Sequence, residues 1–415
     1  MSKPPRSPLL PLETALAQLL AALDGRHLRT EMCSTLQADG RVLARDVVSA
    51  LEVPPQDNSS MDGYALRCAD VAPGRALPVS QRIPAGSQGA PLQAGTVARI
   101  FTGAPIPPGA DAVVMQEDCQ EVPGTDASSP TIQVQTEPQV GQWIRRRGED
   151  VTLGATVLQS GMRLGPAALG MAASVGLARL QVACKPRVAL FSTGDELVMP
   201  GTVAPQEMAP GSIYNSNRFF LAALLRRMGC EVTDLGIVPD RLDATVQALR
   251  DAAQAHDVVL TSGGVSVGEE DHIKPAVQQL GQLDLWQIAI KPGKPFAHGR
   301  VDAAHFIGLP GNPVSSFVTF LLLVRPFVLK LLGATVLSPP AMPAVARFSW
   351  PKADKRREFL RVQLLPSGGL DLFPNQSSGV LTSAVWGDGL VDNPPGQIIG
   401  PGDVVRFLPF AALLA

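Results

Sequence analysis

The 415-residue chain carries 35 basic and 37 acidic residues, and its net charge of −2 argues against a general nucleic-acid-binding protein. Hydrophobic residues make up 45% of it, and its 39 glycines and 38 prolines show no G-X-Y period, which favours a globular multidomain protein over disorder or collagen. The five cysteines are scattered without a C-x-x-C pair, which argues against a disulfide framework or a structural zinc site.

The first predicted element is an amphipathic helix over residues 8–24, where leucines recur at helical spacing. A short apolar run near an N-terminus also occurs in secretion signals. Here Glu13 and Gln18 interrupt the run, and Asp24 with the following glycine ends it as the end of a helix would. We therefore expect a helix of a cytoplasmic protein rather than a signal sequence.

Two regions of different texture follow this helix. From about residue 47 to residue 140, short β-prone runs alternate with Pro-Gly turns, which is typical of a small β-rich domain. Residues 141–183 form a connecting stretch that contains a predicted helix with Pro166 in its first turn.

From Arg187 onward strand-like and helical runs alternate, which predicts βαβ units and a mainly parallel sheet. The predicted strands are 188–191, 231–238, 257–260, 285–290 and 305–309, and the predicted helices are 217–228, 242–255, 269–280 and 313–332. We expect Arg325-Pro326 to break the apolar segment 317–332 and to leave it too short to span a bilayer. After residue 340 the pattern returns to short strands and turns.

The predicted fold class is α/β plus β, in an elongated multidomain chain. A mainly parallel α/β sheet domain spans residues 184–333, and a C-terminal β-barrel-like domain spans 334–415. A β-rich inserted domain covers 47–140, and a helical connecting domain is made of 1–46 and 141–183.

Polar, glycine-rich segments follow the predicted strands of the α/β domain, at 192–196, 239–240, 261–266, 291–294 and 309–313. Ligands bind outside the carboxyl ends of the strands in such sheets, so these loops are predicted to meet at one rim. The loops 261–266 and 309–313 each precede a helix and suit phosphate. Neither matches the ATP-hydrolase or dinucleotide fingerprints, and both could simply end a strand.

These loops also contain three acids and two lysines. The lysines could attract an anionic ligand, whereas the acids would repel it unless a cation lies between them. Glu196, Asp240 and Asp271 would require a cation beside a phosphate, for which Mg²⁺ is suited, although helix capping would also explain each acid. Lys291 and Lys294 flank a Pro-Gly turn on which both ammonium groups could face one anion, or could simply be solvated.

Seven ordered motifs extend over most of the chain. They begin at Asn58 (NSSMDGYA), Thr102 (TGAPIPPGADAVV), Arg145 (RRRGED), Ser192 (STGDEL), Ser262 (SGGVSVG), Lys291 (KPGKP) and Leu309 (LPGNPVS). In these motifs the chain resembles the MoeA family of molybdopterin molybdenumtransferases, to which the E domains of gephyrin and of its plant counterpart are related.

The resemblance implies a reaction and a setting. Family members insert molybdenum from molybdate into adenylylated molybdopterin and release AMP with the finished molybdenum cofactor, using Mg²⁺. They act as cytoplasmic homodimers whose site combines the molybdopterin-binding α/β domain of one subunit with the MDGYA-bearing domain of the other. A separate molybdopterin adenylyltransferase would deliver the substrate, and neither nucleic acid nor membrane is expected as a partner.

The resemblance also assigns residues by motif match. The implied catalytic residues are Asp62, Thr102, Glu196, Asp240, Asp271, Lys291 and Lys294, with Glu196 and Asp271 holding the metal. The implied cofactor-binding residues are Thr193, Gly194, Asn215, Ser262, Gly263, Gly264, Ser266, Pro310, Gly311 and Asn312. Pro295, Ser315, Arg357 and Ser378 resemble the molybdate pocket. Gln287 departs from the family pattern, because many members have lysine there.

Two other functions remain open at this point. An adenylyltransferase built on the same sheet would consume ATP with molybdopterin alone. A scaffold or cofactor carrier would keep cofactor production in cells when Asp62 or Glu196 is replaced by its amide.

Overall fold

The computed structural model describes residues 9–123, 130–265 and 272–414, and a six-stranded sheet lies at its centre. Its strand order is Glu231–Val238, Arg187–Thr193, Val258–Ser262, Ala304–Leu309, Pro295–Val301 and Gly281–Gln287. The first four strands are parallel and the last two are antiparallel to their neighbours. The predicted mainly parallel sheet is therefore confirmed, with an antiparallel edge that was not predicted.

The antiparallel edge contains one missed strand and one shifted strand. Pro295–Val301 was not among the predicted strands; it begins with a proline and carries His298, Gly299 and Arg300, which weakens its apolar pattern. The strand predicted at 285–290 spans Gly281–Gln287 instead. Its first residue must be small, since a Cβ on Gly281 would lie 2.1 Å from the carbonyl oxygen of Arg300.

Helices Asn217–Arg227, Leu242–Ala255 and Ile273–Leu280 pack on the sheet. Leu242–Ala255 buries Val246, Leu249 and Ala253 at helical spacing, which explains why its amphipathic pattern was easy to recognise. The helix predicted at 269–280 is seen from Ile273, and residues 269–271 lie outside the described part of the chain.

The helix predicted at 313–332 is confirmed as Pro313–Leu331, and it continues through Arg325-Pro326, where the apolar segment was expected to break. Its turns widen to π type over Phe320–Val324, just before the proline, which relieves the clash of a proline ring with the carbonyl four residues earlier. The helix is long and apolar enough to cross a membrane, but 89% of its most apolar window is buried inside the protein. It packs there against the N-terminal helix Leu12–Ala21, which is shorter than predicted.

The β-rich region forms a second six-stranded sheet in the order Ala112–Met115, Gly63–Leu66, Val97–Ile100, Ala76–Ile83, Thr131–Val134 and Cys119–Val122. Segments before it pair with segments after it: Thr30–Ser34 with Arg179–Ala183, Val47–Val48 with Thr156–Leu158, and Asn58–Ser59 with Ile144–Arg145. This pairing gives the region the geometry of an insertion. The helix with Pro166 in its first turn spans Pro166–Ser174, as predicted.

The C-terminal region forms a third sheet in the order Ile290–Lys291, Arg357–Leu364, Gly389–Asn393, Val404–Pro409 and Met342–Val345, with Leu370–Leu372 beside Arg357–Leu364. Its first strand comes from the Lys-Pro-Gly-Lys loop of the α/β region and pairs in parallel with Arg357–Leu364. Short helices Thr382–Trp386 and Phe410–Leu413 complete this part. The loop that carries Lys291 is thereby attached to the C-terminal sheet.

Two buried histidines make the stability of this fold sensitive to pH. Nε2 of His298 lies 3.4 Å from Nδ1 of His305, and both rings contact Phe327. Desolvation by burial lowers the pKa of His298 to about 4 and that of His305 to about 3. The folded chain therefore keeps both rings neutral at pH values where the unfolded chain takes up two protons.

We expect the free energy of unfolding to fall as the pH drops from about 6.5 towards 4, by about 1.4 kcal/mol per pH unit for each histidine. The measurement is urea denaturation at several pH values. His305→Gln should show a shallower pH dependence than the wild type, whereas replacing the exposed His27 by glutamine should not alter it. Equal slopes for His305→Gln and the wild type would contradict the prediction.

Candidate active site

A cavity of about 790 Å³ lies at the carboxyl ends of the parallel strands. It sits where the strand order reverses, because Glu231–Val238 and Val258–Ser262 flank Arg187–Thr193 on opposite sides. Such a reversal opens a crevice in which α/β proteins bind ligands. Four of the five predicted loops line it. No residue of the fifth loop, 291–294, is among the described lining residues, but the next residue, Pro295, is.

Most of the predicted binding residues meet in this cavity. Its lining includes Thr193, Gly194, Glu196, Asn215, Asp240, Ser262, Gly263, Gly264, Pro295, Pro310, Gly311, Asn312 and Ser315. Ser266 and Asp271 lie outside the described residues. The rule that places ligands at strand ends thus brought distant loops together correctly, while the role of each residue stays a prediction.

Two glycines form the floor of the cavity in conformations that other residues rarely adopt. Gly263 has φ +97° and Gly264 has φ +67°. A Cβ on Gly263 would lie 2.8 Å from the carbonyl oxygen of Thr193, and one on Gly264 would lie 2.5 Å from Cγ1 of Ile273. This loop therefore presents bare backbone to the cavity, as phosphate-binding loops do.

Asn217 holds two of the lining loops together. Its Nδ2 donates to Oγ of Ser262 at 2.8 Å and to the carbonyl oxygen of Gly311 at 2.7 Å, and its side chain is buried. We did not predict this role. Asn217 opens a predicted helix, where asparagine is commonly explained as a cap, so the sequence offered no separate signal.

Several polar groups in the wall suit a polar ligand. Within the described part of the chain, Oγ of Ser192 and Nδ2 of Asn215 are buried without a hydrogen-bond partner. Buried polar atoms of this kind call for an explanation, and a ligand supplies one. The exposed carboxylate of Glu196 folds over Gly194, because a Cβ on that glycine would lie 2.6 Å from its Oε2.

The carboxylates at this rim are few. Among the residues that the structure describes, no three His, Cys, Asp or Glu side chains cluster as a preformed metal site. Glu196 and Asp240 are the lining acids. Mg²⁺ commonly uses one or two carboxylates and completes its shell with water and substrate phosphate, so this donor set fits Mg²⁺.

The two predicted lysines have different surroundings. Nζ of Lys291 lies 2.9 Å from Oε1 of Glu358 and 3.4 Å from Oδ2 of Asp354. Both of those acids come from the C-terminal region. Lys294 is half-buried, and no carboxylate of the described chain pairs with its ammonium group. Lys291 is thus charge-compensated, while the charge of Lys294 remains available.

The Arg357 side chain lies on the opposite side of its strand from Lys291. Glu358 faces Lys291, and neighbouring residues of a strand point to opposite faces, so the Arg357 side chain points away. It pairs with Asp392 at 2.5 Å and with Glu13, beside a different cavity of about 220 Å³. The arginine on the Lys291 side is Arg356, which was not among the predicted site residues, and the role of Arg357 stays a prediction.

Ser378 and Gln287 both lie next to lining residues. The carbonyl oxygen of Ser378 accepts the backbone N–H of Val314 at 2.9 Å, which puts it beside Ser315, and its neighbour Gly379 lines the cavity. Gln287 pairs with Pro295 in the antiparallel ladder. The position that departs from the family pattern is therefore at the edge of the site.

Asp62 and Thr102 form a separate pair in the β-rich region. Oδ1 of Asp62 accepts the backbone N–H of Thr102 at 2.7 Å and its hydroxyl at 2.8 Å. Both bonds lower the pKa of the Asp62 carboxyl, and the bond from the backbone N–H of Thr102 has the larger effect. The described lining of the large cavity contains no residue of 47–140, so one chain does not bring this pair to it.

Comparison with known proteins decides the family. The MoeA N-terminal region (domain I and II) matches residues 10–176, a probable molybdopterin binding domain matches 189–330, and the MoeA C-terminal region (domain IV) matches 343–410. The molybdopterin molybdenumtransferase of Haemophilus influenzae is 42% identical over 85% of this chain and 85% of its own length. The chain belongs to the MoeA family. The resemblance predicted from the seven motifs is confirmed.

Further relatives extend the MoeA match over nearly the whole chain. The molybdopterin molybdenumtransferase of Synechococcus elongatus is 37% identical over 94% of this chain and 96% of its own. A crystal structure of the molybdopterin biosynthesis MoeA protein from Pyrococcus horikoshii matches with a TM-score of 0.81 and 28% identity, covering 96% of this chain and 99% of that one. The predicted fold class, α/β plus β in several domains, is confirmed by this neighbour.

Proposed function

We propose that this chain is a molybdopterin molybdenumtransferase, which inserts molybdenum from molybdate into adenylylated molybdopterin and releases AMP. The observation that carries the proposal is the cavity at the strand reversal, with its bare glycine loop and the lysine-bearing loop at its edge. The first feature suits an adenylate phosphate and the second suits an oxyanion. The names of the close relatives agree with this activity.

In the proposed mechanism the cavity binds and orients the substrates. Gly263 and Gly264 leave room for the adenylate phosphate. The side chain of Asn217 holds their loop next to Gly311 by hydrogen bonds to both loops. Glu196, with Asp271 as a second ligand, would hold Mg²⁺, which offsets negative charge as the anhydride breaks. Asp240 lies at the same rim as a further acid.

The molybdate is proposed to bind at the KPGKP edge of the cavity. Lys294 supplies a positive charge, Ser315 and Pro295 line the adjoining wall, and Ser378 approaches through its contact with Val314. We assign the guanidinium of this pocket to Arg356, on the Lys291 side, rather than to Arg357. Many relatives have lysine where this chain has Gln287, so the pocket has one positive charge fewer than theirs. The remaining cations then supply all of the attraction for the anion.

Incubation of the purified protein with adenylylated molybdopterin, molybdate and Mg²⁺ tests the proposal. AMP should appear together with cofactor that activates a molybdenum-free acceptor enzyme. Consumption of ATP with molybdopterin alone would favour the adenylyltransferase instead. Full cofactor production in cells by Asp62→Asn or Glu196→Gln would favour a scaffold or carrier.

We further propose a cytoplasmic homodimer that receives its substrate from a separate molybdopterin adenylyltransferase. Asp62 and Thr102 are joined to each other but are absent from the described lining of the cavity in their own chain. A second subunit could bring them there, because in a twofold dimer each subunit can complete the site of the other.

Mixed dimers provide the test. Asp62→Asn and Glu196→Gln subunits should each be inactive alone, yet together regain about one quarter of wild-type activity, because half of the randomly mixed dimers hold one intact site. The measurement is AMP release after the two subunits are co-expressed with different tags. Activity that stays at the level of the single variants would contradict a shared site.

A further inference from the structure

Four charged side chains form one cluster where the KPGKP loop meets the C-terminal sheet. Oδ2 of Asp354 lies 2.9 Å from Nη2 of Arg356 and 3.4 Å from Nζ of Lys291. A single carboxylate oxygen thus bridges two cations that come from different parts of the chain. Glu358 contacts the same lysine at 2.9 Å.

The two carboxylates of the cluster are held differently. Glu358 is 1% exposed in the strand Arg357–Leu364, and its Oε2 also accepts Nε1 of Trp350 at 2.7 Å. Removing such a group from its partners is costly, so Glu358 is a fixed anchor for Lys291. The Asp354 side chain is 22% exposed and belongs to an irregular segment between Trp350 and the strand. Its carboxylate accepts hydrogen bonds from the backbone and the guanidinium of Arg356, so it is held by a neighbour in the chain rather than by the core.

The charges of the cluster cancel while Asp354 is in place. Hydrogen bonds from Arg356 hold the pKa of the Asp354 carboxyl well below its usual range, so this acid is ionised at working pH. Lys291 and Arg356 are then balanced by Asp354 and Glu358. If Asp354 withdraws, Lys291, Arg356 and Glu358 carry a net charge of about +1 and Lys294 adds a second positive charge, which matches a dianion.

We propose that Asp354 is a positioning residue that occupies the place of one oxyanion edge and is displaced by the bound oxyanion. This inference rests on the proposed function and adds to it. The carboxylate keeps the two cations in position before the anion arrives, and it is a competitor that the anion must replace. A tetrahedral dianion can contact both cations with two oxygens and so replaces the carboxylate, and it is repelled more strongly than a monoanion by the carboxylate that it displaces.

Direct binding of molybdate to the full chain tests this inference without molybdopterin. By calorimetric titration, Asp354→Asn should bind molybdate about five- to tenfold more tightly, because a like charge no longer competes near the anion. Asp371→Asn, in the same C-terminal sheet, is the matched control and should bind as the wild type does. Perrhenate, a monoanion of the same shape, should gain less from Asp354→Asn, because the lost carboxylate repels a dianion more strongly than a monoanion, so the preference for molybdate over perrhenate widens.

Three results would overturn the inference. These are unchanged or weaker molybdate binding by Asp354→Asn, an unchanged preference over perrhenate, or no binding by either protein. The proposed function fails only if the wild type also releases no AMP from adenylylated molybdopterin in the complete assay. Glu358→Gln gives an opposed readout, since loss of the anchor for Lys291 should weaken molybdate binding while Asp354→Asn strengthens it.

Discussion

Replacing Glu196 by glutamine is expected to lower molybdate-dependent AMP release about 10²- to 10³-fold, the range typical for loss of a group that stabilises developing charge at a phosphate. The carboxylate lines the large cavity and folds over Gly194 at the end of a parallel strand. Glutamine keeps the shape and a carbonyl oxygen but removes the negative charge. A metal held at this rim would therefore be bound much more weakly.

The stability of Glu196→Gln should equal that of the wild type, because the side chain is exposed and makes no described ion pair. Glu207→Gln is the matched control, since Glu207 is an exposed acid in the neighbouring turn Pro205–Glu207 and is absent from the described lining of the cavity. Raising the Mg²⁺ concentration should partly restore AMP release by Glu196→Gln. Wild-type rates for this variant at limiting Mg²⁺ would remove Glu196 from the proposed mechanism.

The loops of the site could be predicted because the sequence shows alternating strand and helix patterns, and that alternation implies a parallel sheet. Once alternating strands and helices are recognised, the carboxyl ends of the strands must lie at one edge. Thr193, Ser262 and Gly311 therefore meet although long stretches of sequence separate them. Glycines at 263 and 264 were sensible phosphate candidates for the same reason, and their positive φ angles explain why no other residue suits them.

The sequence does not decide which of two adjacent arginines lies on the Lys291 side. Arg356 and Arg357 are adjacent, and only the strand register decides which of them faces Lys291. A shift of one residue moves every side chain to the opposite face, and register depends on the partner strand. That partner, Ile290–Lys291, is far away in the chain and only two residues long, so it is too short to be recognised from a periodic pattern.

The helix Pro313–Leu331 was predicted, but its continuity through Arg325-Pro326 was not. A proline usually ends or kinks a helix, and the rule fails only where the preceding turns widen. That widening accompanies burial of Phe320, Leu323 and Val324 in the core. Tertiary packing, which the sequence pattern does not display, therefore overrides the local signal.

Replacing Gly263 by alanine is expected to damage both stability and nucleotide binding. The left-handed backbone costs an ordinary residue about 1–2 kcal/mol. The new methyl group would also lie 2.8 Å from the carbonyl oxygen of Thr193, which is backbone and cannot rotate away. Together the two effects should lower the free energy of unfolding by about 2–4 kcal/mol and weaken AMP binding more than about tenfold.

Gly201→Ala isolates the first of these effects, the cost of the left-handed backbone. Gly201 also has a positive φ, +87°, but nothing lies within 4 Å of the position of its Cβ. That variant should therefore lose only the backbone part, about 1–2 kcal/mol, in urea denaturation, and should bind AMP normally. If the two variants lost equal stability and both kept AMP affinity, the close approach of Gly263 to Thr193 would have no role in shaping the cavity. A larger loss for Gly263→Ala in both measurements would instead tie phosphate binding to the bare backbone at the end of the strand Val258–Ser262.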